Sequence, residues 1–346
     1  MNDPLRPGVP GTLTGGSSGS SLRAGPTSGR HLSRSLLTLF LLFLLALSSA
    51  ACGDSDPPTV GAPGDSSTTS AGSKSSVPLK IGAIPDQDPE KLQRLYSTVA
   101  GYLEKELGVP VEYVPVTDYT AAVTLFKVGD LDLVWFGGLS GVQARLQVDG
   151  AEAIVQRDID AAFHSLFIAN PASGIKAVMN AEGLGQLKGR RFTFGSESST
   201  SGRLMPEFFL GKAGVKITDF QGPPGFSGSH DKTIDLVAAG TYEAGVVNEQ
   251  VWKDRVAKGT VDLSKVDTIY RTPAYHDYHW VVHPQVKKRY GPDMAERIQK
   301  AFERLDATDP TARTVLELFG ARKFIPTDNS QYRQIEEVGR STGLIL

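Results

Sequence analysis

Alternating strand and helix patterns limit the folds that this chain of 346 residues can adopt. Leu79–Ile84, Val109–Val116 and Leu131–Phe136 are short apolar segments typical of buried strands, and each is followed by apolar residues at helical spacing or by a helix-starting loop. The same alternation returns over residues 192–258. Strands that alternate with helices indicate a parallel sheet covered by helices on both faces. We therefore predict an α/β fold.

Two extended segments, near residues 165 and 275, divide this pattern into two parts. We predict two lobes, residues 78–168 plus 270–346 and residues 169–269, each a mainly parallel sheet flanked by helices, with the two segments as hinges. Ligands of open α/β sheets bind outside the carboxyl ends of the strands. The polar loops at such ends are Pro85–Asp88, Thr117–Tyr119, Gly137–Ser140, Ser199–Gly202, Ser227–His230 and Asn248–Gln250. A cleft between the lobes would bring them together.

A loop rich in hydroxyl residues, Gly195–Gly202, lies between the predicted strand Arg191–Phe194 and a predicted helix. Its free backbone amides, the hydroxyls of Ser199, Thr200 and Ser201, and the positive end of the helix dipole all favour an anionic ligand. Ser and Thr are also common helix caps, so a capping loop without a ligand is the alternative for this stretch alone.

Residues 1–51 have the features of an export signal: a leader containing arginines, the apolar run Leu36–Leu47 and the small residues Ser48–Ala51. The apolar run is too short to span a bilayer. Cys52 is the only cysteine, which excludes disulfides within the chain, and its position resembles the acylated cysteine of the bacterial lipobox. We predict cleavage before Cys52, lipidation of its sulfur, and a flexible linker over the rest of residues 52–77.

The composition is that of a soluble globular protein. Apolar residues make up 40% of the chain and charged residues 21%, which distinguishes it from a disordered chain. The formal net charge of -2 gives no reason to expect a nucleic-acid partner. We expect a monomer.

Several motifs occur in the order seen in the phosphonate-, phosphite- and phosphate-binding proteins of ABC importers. They are Ile81–Pro85, Asp118–Tyr119, Asp132–Gly137, Ser199–Gly202, Gly228–His230 and Tyr332. The chain resembles this family over essentially all of residues 78–346. The resemblance implies a two-lobed periplasmic-binding-protein fold of type II that closes on a tetrahedral oxyanion. It also implies an ABC permease and ATPase as partners, no cofactor, and a lipid-anchored position on the extracytoplasmic face of the cell membrane.

The resemblance also implies a set of ligand-binding residues. Tyr119, Ser199, Thr200, Ser201, His230 and Asp277 would contact the head group, and Gly137 and Gly138 would line the site. Beside an anion, the charged form of the His230 imidazole would be favoured. A core position for Tyr119 and a helix-capping role for His230 are the alternatives. The segment Gly137–Gln143 looks closer to a branch associated with selenate uptake, which leaves selenate as a second ligand class.

Asp277 decides between these ligand classes. A carboxylate repels a fully ionised anion, and it helps binding only if the ligand donates a proton. A monoprotonated phosphate or phosphonate has such a proton at neutral pH, whereas selenate and sulfate do not. An Asp277 that faces the cleft therefore favours a phosphorus oxyanion, and one that faces solvent leaves selenate open.

Other chemistries fit the sequence less well. His276, His279 and His283 cannot converge on a metal from one strand, because only His279 and His283 share a face. The serine loop lacks the Gly-x-Ser-x-Gly elbow of an α/β-hydrolase, and the chain has no Gly-Lys-Ser/Thr phosphate loop. We therefore expect a binding protein rather than an enzyme, with no metal site. A membrane-tethered sensor module is a third class.

Overall fold

The computed structural model describes residues 77–346. The predicted signal peptide (residues 1–51), the lipidated Cys52 and almost all of the linker lie outside the described residues. Within residues 77–346, no helix is long and apolar enough to cross a membrane.

Within residues 77–346 the strands form two sheets and are numbered along the chain. The first sheet has six strands: β1 (Leu79–Ala83), β2 (Val111–Tyr113), β3 (Leu133–Phe136), β4 (Glu152–Arg157), β10 (His279–Val282) and β11 (Phe324–Pro326), in the order β11-β4-β10-β3-β1-β2. The second has five: β5 (Ser165–Ala169), β6 (Phe192–Phe194), β7 (Gly225–Phe226), β8 (Ala244–Asn248) and β9 (Asp267–Arg271), in the order β7-β6-β8-β5-β9.

Both sheets are mixed, which corrects the prediction of mainly parallel sheets. β1 runs parallel to β2 and β3, but β10 is antiparallel to β3 and β4, and β11 is antiparallel to β4. In the second sheet β6 runs parallel to β7 and β8, whereas β5 is antiparallel to β8 and β9. The chain enters β5 and β10 directly from the other sheet, beside the carboxyl ends of β8 and β3. Each entering strand must therefore run in the opposite direction.

Ten α-helices pack on these sheets in the described chain. They are α1 (Pro89–Leu107), α2 (Tyr119–Lys127), α3 (Gly138–Gln147), α4 (Met205–Lys212), α5 (His230–Ala238), α6 (Glu249–Ala257), α7 (Gln285–Tyr290), α8 (Met294–Glu303), α9 (Pro310–Phe319) and α10 (Arg333–Ser341). Polar caps start the helices at the strand ends: the side chains of Asp118, Ser229 and Asn248 accept amide hydrogen bonds from the first turns of α2, α5 and α6.

The chain crosses between the sheets twice, over residues 158–164 and 272–278. The two crossings run side by side, because Phe163 and Tyr275 exchange backbone hydrogen bonds of 2.8 and 3.0 Å. The lobe boundaries predicted at 168/169 and 269/270 fall inside β5 and β9, and both strands belong to the second sheet. That the crossings act as hinges stays a prediction.

Close packing of Gly141 in α3 against His279 in β10 provides a stability test. A Cβ at position 141 would lie 2.4 Å from the His279 ring, which is itself stacked on Tyr332 at 3.8 Å. We expect Gly141→Ala to lower the free energy of unfolding by about 1–3 kcal/mol, because the stacked His279 ring has no free space into which it could move away from the new methyl group. Gly101→Ala in α1 is the matched control: a Cβ there meets nothing within 4 Å, and it should stabilise by about 0.5–1 kcal/mol. Chemical denaturation that finds Gly141→Ala stabilising would contradict this packing.

Candidate functional site

The eight predicted ligand-binding residues are all buried between the two sheets. They are Tyr119, Gly137, Gly138, Ser199, Thr200, Ser201, His230 and Asp277, and we call this group the inter-sheet site. Tyr119 and His230 open α2 and α5, and Gly137 precedes α3. The site therefore lies at helix N-termini, where backbone amides and the helix dipoles favour an anion.

Direct contacts join the two halves of the inter-sheet site. The amide of Leu139, in the first turn of α3, donates to Thr200 Oγ1 at 2.9 Å. The preceding amide, Gly138 N, donates to Asp277 Oδ1 at 2.9 Å. A Cβ built on Gly137 would lie 3.1 Å from Thr200 Oγ1 and 3.3 Å from Asp277 Oδ1. Thr200, Asp277 and the start of α3 are thus in contact around one point.

The hydroxyl loop is organised by a π-helical turn, Thr200–Leu204, that leads into α4. Ser199 Oγ caps this turn by accepting the Gly202 amide at 2.9 Å. Burial raises the pKa of the nearby Tyr119 hydroxyl, and the Ser199 side chain opposes that shift. π-turns are frequent at functional sites. Gly202 permits a close approach, because a Cβ there would lie 3.2 Å from His230 Cε1. The loop thereby brings Ser199, Tyr119 and His230 together.

Asp277 faces the inter-sheet site and not solvent, with 1% of its surface exposed. Its Oδ2 has no hydrogen-bond partner within the described chain. Burial raises the pKa of this carboxyl to about 7. The Gly138 amide and the Thr200 hydroxyl lower this pKa. The negative charge of Asp160 raises it, and the positive charge of Arg157 lowers it. Asp277 therefore changes its protonation state near neutral pH.

His230 is neutral in the ligand-free protein, and the charged form expected beside an anion is not present. Burial lowers the pKa of its imidazole to about 3. Its Nδ1 accepts the backbone N–H of Asn248 at 3.3 Å, and its Nε2 lies 3.4 Å from the Tyr278 hydroxyl oxygen.

Three buried residues at the site were missing from the sequence prediction: Asp86, Asn248 and Tyr278. Tyr278 OH donates to Asp86 Oδ2 at 2.8 Å, and Asn248 Nδ2 donates to the Tyr278 oxygen at 2.9 Å. Asp86 follows β1 and Asn248 ends β8, and the sequence analysis assigns both to polar segments at strand ends. Their position in those segments is the signal that could have identified them.

Within the described residues, neither a group of metal-ligating side chains nor a nearby cavity competes with this site. Among residues 77–346, no group of three or more His, Cys, Asp and Glu side chains is placed to hold a metal ion. A cavity of about 540 Å³ borders the first crossing and α6 but contains none of the eight residues. Its charged side chains are already paired, for example Arg271 with Glu249 at 2.7 Å and Arg322 with Asp158 at 2.9 Å.

Comparisons with known proteins show the family of this chain. The family model described as an ABC transporter, phosphonate, periplasmic substrate-binding protein matches residues 81–332. This chain belongs to that family, and it is an extracytoplasmic substrate-binding protein of an ABC importer, not an enzyme. It is 46% identical over 268 residues to the probable ABC transporter phosphite binding protein PhnD1 of Prochlorococcus marinus, covering 77% of this chain and 90% of the relative.

One more distant relative and two solved structures extend the comparison. The chain is 29% identical to the phosphate-import protein PhnD of Mycolicibacterium smegmatis over 66% of this chain and 70% of the relative. The solved structure of P. marinus PhnD1 in complex with methylphosphonate matches with a TM-score of 0.76, at 46% identity, covering 77% of this chain and 98% of that chain. A component of an ABC phosphonate transporter from Pseudomonas aeruginosa shares the fold, with a TM-score of 0.66 at 19% identity and coverage of 75% and 84%. The two-sheet, periplasmic-binding-protein-like α/β fold is therefore confirmed.

Proposed function

We propose that this chain captures a phosphonate- or phosphite-type oxyanion in the inter-sheet site and delivers it to an ABC permease. The proposal assigns the head-group contacts to Tyr119, the hydroxyls of Ser199–Ser201, His230 and Asp277, with Gly137 and Gly138 lining the site. The methylphosphonate bound to P. marinus PhnD1 and the phosphite-binding name of that relative support this ligand class.

Neutral donors are sufficient for such a ligand. Each hydroxyl or amide that donates to a charged oxygen contributes about 1.5–3 kcal/mol. Three or four of them sum to a value comparable with the roughly 8 kcal/mol of a micromolar complex. The site therefore requires no arginine in contact with the anion, and an anion held by neutral donors is released more readily to a transporter.

The single observation that carries the ligand class is the buried Asp277 carboxyl with its unpaired Oδ2. An ionised carboxylate at this point repels an anion that has no proton to donate. A monoprotonated phosphonate or phosphite places an O–H against Oδ2 and leaves Oδ1 on the Gly138 amide. Selenate remains the alternative suggested by Gly137–Gln143, and the position of Asp277 argues against it.

The proposal also includes the attachment and motion of the protein. Lipidation at Cys52 and the polar residues that follow it would tether a monomeric binding domain to the outer face of the membrane. Rotation about the two crossings would open the inter-sheet site for ligand entry and release.

Loss of single donors tests this assignment. We expect Ser201→Ala and His230→Ala each to weaken methylphosphonate binding about tenfold or more, because each removes one hydrogen bond to a charged oxygen. Isothermal calorimetry measures the affinities, and Ser264→Ala in an exposed loop serves as the control that should leave the affinity unchanged. Wild-type affinity in both site variants would remove these residues from the binding site.

A further inference from the structure

The hydrogen bonds around His230 fix the position of its ring proton. Asn248 Oδ1 accepts the amide of Val251 at 2.6 Å as the cap of α6, which leaves Asn248 Nδ2 facing the Tyr278 oxygen at 2.9 Å. The backbone N–H of Asn248 points at His230 Nδ1 at 3.3 Å. A backbone amide can only donate, so Nδ1 must accept, and the proton of the neutral ring is on Nε2.

The Tyr278 hydroxyl imposes the same arrangement from the opposite side. Its one proton is donated to Asp86 Oδ2 at 2.8 Å. Toward Asn248 Nδ2 and His230 Nε2 the phenol oxygen can therefore only accept, which again requires a proton on Nε2. Two independent sets of contacts define one tautomer.

We infer that Asp86, Tyr278 and Asn248 are positioning residues that hold His230 as a neutral, single-proton donor for the oxyanion. The inference rests on the proposed function, because that proposal places the anion beside His230. At 3.4 Å the Nε2–H bond to Tyr278 is long and weak, so the same N–H can also donate to an oxygen of the ligand. A second proton on Nδ1 would point at the N–H of Asn248. Binding therefore takes up no proton at His230.

The charged groups near the ring leave this arrangement in place. The Tyr278 hydroxyl lies between the Asp86 carboxylate and the His230 ring. The backbone carbonyl of Asp86 accepts the His230 amide at 3.0 Å. Asp231, the next residue on α5, accepts the amide of Asp88 at 2.9 Å and lies 3.5 Å from Arg255. The hydroxyl loop on the remaining side presents Ser199 and Gly202, which carry no charge. Arg157 acts on Asp86 and not on the ring.

Nitrogen NMR of the histidine rings tests the inference directly. In the wild-type protein, with His230 assigned by comparison with His230→Gln, we expect an unprotonated Nδ1 and a protonated Nε2 throughout pH 7–8. In that range the Asp86 carboxyl, whose pKa burial raises to about 6, is ionised and accepts from Tyr278. The same signals should persist at saturating methylphosphonate. An imidazolium in either state, or a proton on Nδ1, would overturn the inference.

A double-mutant cycle separates positioning from a general structural role. In a Tyr278→Phe variant the Asp86 carboxylate loses the hydroxyl that donates to it, and it then competes with the ligand for the Nε2–H of His230. Tyr278→Phe should therefore weaken methylphosphonate binding about tenfold in the wild-type background, but less than about twofold in the His230→Ala background. Tyr102→Phe is the control, because this buried tyrosine in α1 donates to the Ala301 carbonyl at 2.6 Å, away from the inter-sheet site. The affinity of this variant for methylphosphonate should be unchanged.

An equal loss in both backgrounds would show that Tyr278 does not act through His230 and would overturn the inference. Failure of wild-type protein to bind methylphosphonate or phosphite would instead contradict the proposed function. The NMR measurement on the ligand-free protein still decides the tautomer in that case, so the two failures are distinguishable.

Discussion

Asp277→Asn should weaken methylphosphonate binding by about tenfold to a hundredfold and strengthen sulfate binding at pH 8. The first effect follows from the loss of a charge-assisted hydrogen bond between the ligand O–H and the carboxylate. The second follows because the amide removes the negative charge and places an N–H donor where Oδ2 lies. Asn Oδ1 can keep the Gly138 amide, which bonds to Asp277 Oδ1 at 2.9 Å. Calorimetric titrations with both anions measure the change.

Asp306→Asn, at an exposed position, is the control for this change and should alter neither affinity. Unchanged discrimination between methylphosphonate and sulfate in Asp277→Asn would show that the carboxyl does not contact the ligand.

The same substitution should change the pH dependence of stability. The pKa of Asp277 is raised from 3.8 to about 7 in the folded protein, so the folded state favours the protonated acid. Its stabilising contribution is fully present below about pH 4 and is lost as the pH rises through 7. Ligand-free Asp277→Asn should therefore be more stable than wild type at pH 8, and the difference should shrink toward pH 4. Denaturant titrations at the two pH values measure it, and a difference independent of pH would contradict the shift.

The largest loss of stability is expected for Arg157→Met. Arg157, 4% exposed, lies at the end of β4 and makes two hydrogen bonds to the buried Asp160 carboxylate, at 2.6 and 2.7 Å. A third bond, from Nη1, reaches the Phe319 carbonyl at 2.8 Å. Removing the guanidinium leaves Asp160 buried without its partner, and we expect a loss of about 3–5 kcal/mol in the free energy of unfolding.

A surface ion pair provides the matched control for Arg157→Met. Arg94 lies 3.9 Å from Glu90 on α1, with side chains that are 66% and 89% exposed. Arg94→Ala should cost less than about 1 kcal/mol, because solvent already screens that pair. Chemical denaturation that finds equal losses for the two substitutions would contradict the assignment of Arg157 and Asp160 as the buried pair that supports the first crossing.

Local patterns were sufficient to predict most of the elements and the position of the hydroxyl loop between a strand and a helix. The strand before Gly195–Gly202, the hydroxyl residues of that loop and the helix after it follow from spacing and residue type alone. The capping residues Asp118 and Ser229 likewise mark the starts of α2 and α5.

What the sequence did not reveal depends on contacts between distant segments. Apolar alternation carries no information on strand direction, so the antiparallel β5 and β10 could not be distinguished from parallel strands. The orientation of Asp277 depends on the second crossing, where its backbone N–H bonds to the Asp160 carbonyl at 3.1 Å. The tautomer that we infer for His230 depends on an amide 18 residues away, in β8.

A calorimetric panel of anions tests the central claim most directly. Wild-type protein at pH 7 would be titrated with phosphite, methylphosphonate, phosphate, selenite, sulfate and selenate. The buried carboxyl of Asp277 predicts micromolar or tighter binding of at least one phosphorus oxyanion, with sulfate and selenate at least about a hundredfold weaker. Selenate or sulfate binding as tightly as every phosphorus oxyanion in the panel would contradict the proposed ligand class.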